Sequence, residues 1–256
     1  MMEKLTCTRL DAASNLALYH VGPSLDEGPL PSLFYFALSG PDSLTLDPFN
    51  QPIQWIQGNK IRAFSMDLPA HENNLPPTKA IEAWASEYER GQDPLSAFLQ
   101  KAEKALEFAI EKKLIDPKKI AVAGLSRGGL IALHLAARDP RIRTLAAFAP
   151  VVSLKNAKEF FSLQTNPLIE ALDANFLQER LYDRRMRIYI GNRDTRVSTR
   201  ASFDFALALA EKAYEHKIRS PQIEFIMSPS IGQMGHGTAP EIFKQGAEWI
   251  LECLKK

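Results

Sequence analysis

Five residues, Gly124-Leu125-Ser126-Arg127-Gly128, set a hydroxyl between two glycines. An apolar run, Ile120-Ala121-Val122-Ala123, gives way there to the helical pattern Gly129-Leu130-Ile131-Ala132-Leu133-His134-Leu135. A strand that turns so sharply into a helix pushes the serine Oγ out at the strand's carboxyl end, because bulkier neighbours would clash with the flanking backbone. Ser126 is therefore a candidate nucleophile. A serine that merely caps a helix fits the same five residues, so the choice rests on what else arrives at that edge.

A serine hydroxyl at neutral pH needs a histidine to take its proton and a third group to orient that histidine. Of the five histidines, His20 falls in an N-terminal strand pattern and His134 on the helix after the serine, where packing accounts for them. His216 ends a helix and reads as a cap. His71 follows a strand but precedes the serine. His236, in Gly235-His236-Gly237 between the last strand and the last helix, is the better base, since glycines let a loop bring an imidazole back over the sheet edge. Asp194, in Gly191-Asn192-Arg193-Asp194-Thr195-Arg196-Val197 directly after the penultimate strand, is the candidate acid, although Gly, Asn and Asp also build ordinary turns. Nucleophile, acid and base then follow one another in the chain as Ser126, Asp194 and His236, each just beyond a strand. Arg127, Arg193 and Arg196 stand beside these positions. They read as attractors for an anionic acyl group or, more simply, as solvated or ion-paired charges.

The elements that must position these residues alternate as in an α/β protein. Residues 4–10 and 15–21 predict two peripheral strands. Residues 33–38 are apolar on both faces, as in a strand buried mid-sheet. A short helix starting near Pro52 and a strand at 61–66 complete a βαβ unit. Helical spacing at 78–88 places Ile81, Trp84, Ala85 and Tyr88 on one face, and a clearer helix at 97–113 is stopped by Asp116-Pro117 before the serine strand. Strands follow at 143–149 and 187–190, then a helix at 200–216, a strand at 222–227 and a final helix at 240–254. The interval 153–185 carries too many apolar residues for a plain surface loop. It reads either as a small helical cap over the site or as a crossover helix with a long approach.

Composition narrows the function classes. At 256 residues one α/β domain is the default, and Lys plus Arg at 31 against Asp plus Glu at 30 gives no electrostatic pull toward nucleic acid or an anionic membrane. Small molecules are the expected partners. Cys7 and Cys253 match no metal-ligand spacing, though one bridge between them stays open. The N-terminal residues lack the apolar core of a signal peptide, and no apolar stretch approaches the ~20 residues of a membrane span, so the protein is expected to be cytoplasmic.

With these residues in view the chain resembles the serine α/β-hydrolases, in particular the dienelactone hydrolase and prolyl oligopeptidase-type branch, from the strand at Leu33 to the last helix. Gly124 to Gly128 matches the nucleophile elbow, and Gly191-x-x-Asp194-x-x-Val197 matches the acid loop. Asp67-Leu68-Pro69-Ala70-His71 is similar to the Asp-x-Pro-Gly-His stretch after the fourth strand. The resemblance implies a mostly parallel sheet flanked by helices and a Ser126, Asp194, His236 triad, with no metal or cofactor needed. It also implies an oxyanion hole built from the backbone N–H of Arg127 and one from the loop after the strand at Leu33. There the chain departs from the family: the usual His-Gly is Ser39-Gly40, and Pro41, which follows, has no N–H. Either the register shifts so that Ser39 or Gly40 donates, with Ser39 the preferred candidate, or the oxyanion site is weakened.

The expected activity is hydrolysis of a small carboxylic ester or thioester through an acyl-enzyme on Ser126. The alternatives are a small peptidase and a hydrolase-fold protein that only binds a ligand. Acyl group, leaving group and oligomeric state are not readable from the sequence.

Overall fold

A computed structural model describes residues 5–13, 16–71 and 76–255 of the chain. Lys4 and Asn15, which open the two N-terminal strand patterns, lie outside the described residues, as do residues 72–75 of the loop after His71. Eight strands form one sheet in the order β1-β2-β4-β3-β5-β6-β7-β8. The outer pair, β1 (Thr8–Ala13) and β2 (Leu16–Val21), is antiparallel, and β2 runs antiparallel to β4 (Arg62–Ser65). From β4 onward every pairing is parallel, through β3 (Leu30–Phe36), β5 (Ile115–Leu125), β6 (Ile142–Phe148), β7 (Arg185–Gly191) and β8 (Ile223–Ser228).

Side chains of successive strand residues leave opposite faces, and both faces are covered. Phe34, Val122, Leu145 and Ile188 point into one core, shared with α3 (Ala80–Glu89), α4 (Pro94–Glu111), α5 (Arg127–Arg138) and α8 (Thr199–Glu215). Leu33, Tyr35, Ala121, Ala123 and Tyr189 point into the other, closed by α1 (Gly40–Thr45), α2 (Gln51–Ile56) and α9 (Pro240–Lys255). This double burial is why the run at 33–38 alternates no polar residues.

The first strand runs over Thr8–Ala13 rather than 4–10, and three further boundaries differ from the sequence expectation, each for a local reason. The helix expected from 97 begins at Pro94, because Asp93 caps it by accepting the Ser96 N–H at 2.9 Å and proline suits a first turn. It ends at Glu111 rather than at Lys113, which takes a positive φ of 56°. Pro117 instead lies inside β5, in a stretch where pairing with β3 slips from Leu30↔Ile115 to Ser32↔Ile120, so the proline needs no ladder hydrogen bond. A further helix, α1, occupies residues taken for loop: Ser39 caps it by accepting the Asp42 N–H at 3.2 Å, and Pro41 sits in its first turn.

The interval 153–185 holds no long crossover helix. It is a chain of short 3-10 turns (Leu154–Asn156, Lys158–Leu163, Ala174–Leu177) and two brief helices, α6 (Pro167–Glu170) and α7 (Gln178–Leu181). Its apolar residues explain themselves by burial: Phe160, Ile169, Leu172 and Leu181 enter the core, and His134 on α5 makes a 3.0 Å hydrogen bond with the Leu172 carbonyl. Phe161 and Phe176 stay exposed. Cys7 and Cys253 are not joined by a disulfide, which answers the open question of a bridge. No helix among the described residues is long and apolar enough to cross a membrane.

The two N-terminal strands are held by polar groups as well as by packing. Buried Arg62 on β4 donates to the carbonyls of Pro23, Ser24, Gly28 and Leu114, fixing the loop after β2 against the sheet. Beside it His20 packs on Phe64 with ring centroids 5.3 Å apart, and its Nε2 has no hydrogen-bond partner among the described residues. Burial, with Arg62 adding to it, pushes this imidazole from 6.5 down to about 4. The unfolded chain therefore binds a proton that the folded one refuses, and stability contributed by neutral His20 is lost as pH falls from 6.5 toward 4. Urea midpoints at about pH 7.5 and about pH 5 should differ less in His20→Phe than in the native protein, and an unchanged difference would contradict this assignment.

Candidate active site

The carboxyl ends of β5, β7 and β8 converge on one point. Ser126 follows β5 as the residue before α5, with φ 55° and ψ −113°. A non-glycine residue rarely holds such angles, and here the surroundings impose them. The Ser126 N–H donates to the Phe148 carbonyl at 2.8 Å, while the Ser126 carbonyl accepts from Gly129 and Val151, both at 3.0 Å. The flanking glycines are required by contact: a Cβ on Gly124 would run into the Gly128 carbonyl, and one on Gly128 into the carbonyl of Phe36 at the end of β3. α5 can begin this close to the sheet only without those side chains.

Asp194 lies in the loop after β7, its side chain fully buried. One oxygen, Oδ1, accepts the N–H of Arg196 at 2.9 Å and of Val197 at 3.1 Å. The other, Oδ2, accepts from Nδ1 of His236 at 2.7 Å. With Nδ1 carrying the proton toward the carboxylate, Nε2 of His236 presents its lone pair to the Ser126 Oγ–H, 2.8 Å away. His236 reaches this position from a coiled loop after β8 in which Gly232, Met234 and Gly235 all take positive φ. That loop is stitched to the acid loop, since the N–H and Oγ–H of Thr195 both donate to the Met234 carbonyl, at 2.9 and 3.1 Å. Ser126, Asp194 and His236, separated by 68 and 42 positions in the chain, thus form one hydrogen-bonded relay. An imidazole so held can accept a hydroxyl proton, and a buried carboxylate can steady the charge that results.

The relay opens into a cleft of about 730 Å³ whose walls are largely apolar, with Leu38, Phe49, Ile81, Val151, Val197 and Met234 among them. Residues 153–185 contribute Ser153, Ala157, Lys158 and Glu159 to the wall. Of the arginines singled out by position, Arg127 and Arg196 line the cleft and Arg193 does not. The Arg127 guanidinium lies over the Trp84 ring at 5.5 Å, and burial pushes it down to about 10, with Arg196 lowering it further and Glu159 opposing. Arg196 is ion-paired with Glu159, in line with the simpler of the two readings for these charges.

The segment after β3 is folded tightly upon itself. Ser43 Oγ accepts the N–H groups of Ala37 and Leu38 at 3.1 and 2.9 Å, and Asp67 Oδ1 accepts that of Gly40 at 2.7 Å. The N–H groups of Asp42 and Ser43 go to Ser39 and Pro41 has none, which leaves the Ser39 N–H without a hydrogen-bond acceptor among the described residues. Ala37 and Leu38, rather than Ser39, form the cleft wall here. Asp67, which belongs to the Asp67-to-His71 stretch, also accepts from Tyr19 Oη of β2 at 3.3 Å. No role for Asp67, Ser43 or Glu159 was readable from the sequence. For Asp67 the spacing from the strand end was the available signal, whereas Ser43 and Glu159 had none.

The remaining histidines take no part in the relay. His71 is buried, with Nε2 unpartnered among the described residues, and burial, then Arg127, pushes it down to about 4. His216 follows α8 as expected of a cap, stacking on Tyr182 at 4.0 Å and meeting Glu179 at 2.7 Å.

Comparison with known proteins came to the same fold. A family model described as alpha/beta hydrolase fold matches residues 86–214. No curated protein matches the chain. Among solved structures, TT1662 from Thermus thermophilus superposes with a TM-score of 0.71 at 19% identity, over 98% of this chain and 99% of that one. An esterase from Pyrococcus furiosus gives 0.64 at 16% identity, over 98% of this chain and 91% of that one. An acylaminoacyl peptidase from Pyrococcus horikoshii gives 0.66 at 13% identity, over 98% of this chain but 41% of that one.

Replacing Gly128 by alanine should destabilise the protein by about 1–3 kcal/mol, since the added carbon meets backbone of β3 that cannot step aside. Chemical denaturation reads the loss, and a change within about 0.5 kcal/mol would mean that α5 can shift off the strand.

Proposed function

The chain belongs to the alpha/beta hydrolase fold family, and on that premise we propose that it is a serine hydrolase cleaving a small carboxylic ester or thioester through an acyl-enzyme on Ser126. The observation that carries the reading is the relay itself: 2.8 Å from Ser126 Oγ to His236 Nε2 and 2.7 Å from His236 Nδ1 to Asp194 Oδ2.

In this reading Ser126 Oγ attacks the substrate carbonyl as His236 Nε2 takes its proton, and Asp194 stabilises the imidazolium. The tetrahedral oxyanion is held by the N–H of Arg127 at the start of α5 and by that of Ser39, the amide of its segment left without an internal acceptor. Collapse expels the alcohol or thiol, which receives the proton from His236, and the acyl group stays on Ser126. Water, deprotonated by the same imidazole, then releases the acid and restores the serine. The chain's own groups supply every proton transfer, so the proposal includes no metal or cofactor.

A small ester suits the cleft, whose walls are mainly apolar and whose Arg196 charge is already matched by Glu159. Residues 153–185 act as a small cap on a single domain, because they wall the cleft with Ser153, Ala157, Lys158 and Glu159. Peptide hydrolysis is the second reading, favoured by the likeness to the acylaminoacyl peptidase, but the chain spans about two fifths of that protein.

A fluorophosphonate should label the native protein at a single site, and intact mass should show no adduct on Ser126→Ala. Short-chain p-nitrophenyl esters should then be hydrolysed, with rates falling by about 10⁴-fold or more in Ser126→Ala and His236→Ala. A folded native protein that takes no label would leave ligand binding, not hydrolysis, as the function of the cleft.

A further inference from the structure

Glu159 and Arg196 meet at the edge of the cleft in a bond that acyl transfer does not itself require. Glu159 sits in the Lys158–Leu163 turn, and its two carboxylate oxygens accept from the two terminal nitrogens of Arg196 at 2.8 and 2.9 Å. Their side chains are 9% and 20% exposed, so the pair has given up much of its water for this geometry. Planar guanidinium and carboxylate joined at both prongs fix orientation as well as distance. The same Arg196 donates its main-chain N–H to Asp194 Oδ1. One residue thus holds the 153–185 segment with its side chain and the carboxylate of the relay with its backbone.

The acid loop is gripped from its other flank as well, where Thr195 is bonded to the Met234 carbonyl of the loop bearing His236. The charge balance makes the first grip conditional. Arg196 lies near enough to Arg127 to disfavour the charge on Arg127, and Glu159 opposes that effect. Without that carboxylate Arg196 would lose its ion-pair partner beside a like charge, and water offers it a better place. Its departure would pull on the amide that orients Asp194.

We propose that Glu159 is a positioning residue for the reaction: through Arg196 it fixes the loop that holds Asp194 toward His236, and so couples the 153–185 segment to the base. The proposal rests on the reading of Ser126, Asp194 and His236 as the reacting relay. Residues 153–185 then do more than wall the cleft, because the segment that lines it also sets the geometry of the carboxylate.

The test compares native protein, Glu159→Gln, Arg196→Lys and the double variant Glu159→Gln/Arg196→Lys, each checked for native circular dichroism. With p-nitrophenyl acetate the expected loss is in kcat, about 10- to 100-fold for either single change, with KM little altered. The double variant should be no slower than the worse single one, since both changes break the same link. Proton NMR supplies a readout independent of turnover: the downfield Nδ1 proton of His236, bonded to Asp194, should weaken or move upfield in both single variants. A loss confined to KM, additive effects in the double variant, or an unmoved Nδ1 proton in folded variants would each overturn the proposal. If Glu159→Gln fails to fold, Arg196→Lys, which keeps the charge but not the two-pronged fit, decides the matter by the same measurements. Failure of the hydrolase reading is seen separately, as a native protein that neither turns over the ester nor takes a fluorophosphonate.

Discussion

The close approach of α5 to the end of β3 is the constraint on which the site depends. Gly128 lies against the Phe36 carbonyl and Gly124 against Gly128, leaving no room for a side chain at either position. The serine between them is held at φ 55° by backbone hydrogen bonds from β6 and from the start of α5. Strain of this kind persists only where the surroundings over-determine it, and here parallel strands on both sides of β5 do so. The Oγ consequently stands clear of the sheet, and the loops after β7 and β8 have one fixed point to which they deliver a carboxylate and an imidazole.

Those loops are built differently from the elbow. Glycines and a positive-φ methionine coil the His236 loop, and hydrogen bonds rather than apolar packing bind it to the acid loop. Asp194 is the exception, a fully buried carboxylate whose three hydrogen-bond donors replace the water it has lost. On the far side, Arg196 and Glu159 extend the same network into the 153–185 segment. The relay is therefore part of a polar layer that runs over the carboxyl edge of an otherwise apolar sheet.

Much of this was legible in the sequence because it depends on local rules. The serine between glycines follows from steric limits and the doubly apolar strand at 33–38 from period-two burial, while Ser126, Asp194 and His236 stand out because each lies just beyond a strand. What escaped was set by partners distant in sequence. α1 hides behind Gly40-Pro41, a pair that marks a loop unless Ser39 caps a helix there. Pro117 marks a helix end by its type, yet it lies in a slipped stretch of β5 that only the pairing with β3 defines. Glu159 carries no motif, and its meaning comes entirely from Arg196, 37 residues away. Ser39, preferred because Pro41 cannot donate, stands apart from its neighbours for a reason no motif contains: Ser43 and Asp67 take up the amides around it.

The central claim is that the Ser126 hydroxyl, activated by His236, becomes covalently acylated. Mixing the protein with excess p-nitrophenyl acetate, quenching in acid within the first turnover and mapping the peptides by mass tests this directly. The account predicts a burst of nitrophenol close to the amount of enzyme and an acetyl group on the peptide carrying Ser126, with neither seen in His236→Ala. Turnover without acetylated Ser126, or acetylation that persists without His236, would contradict it.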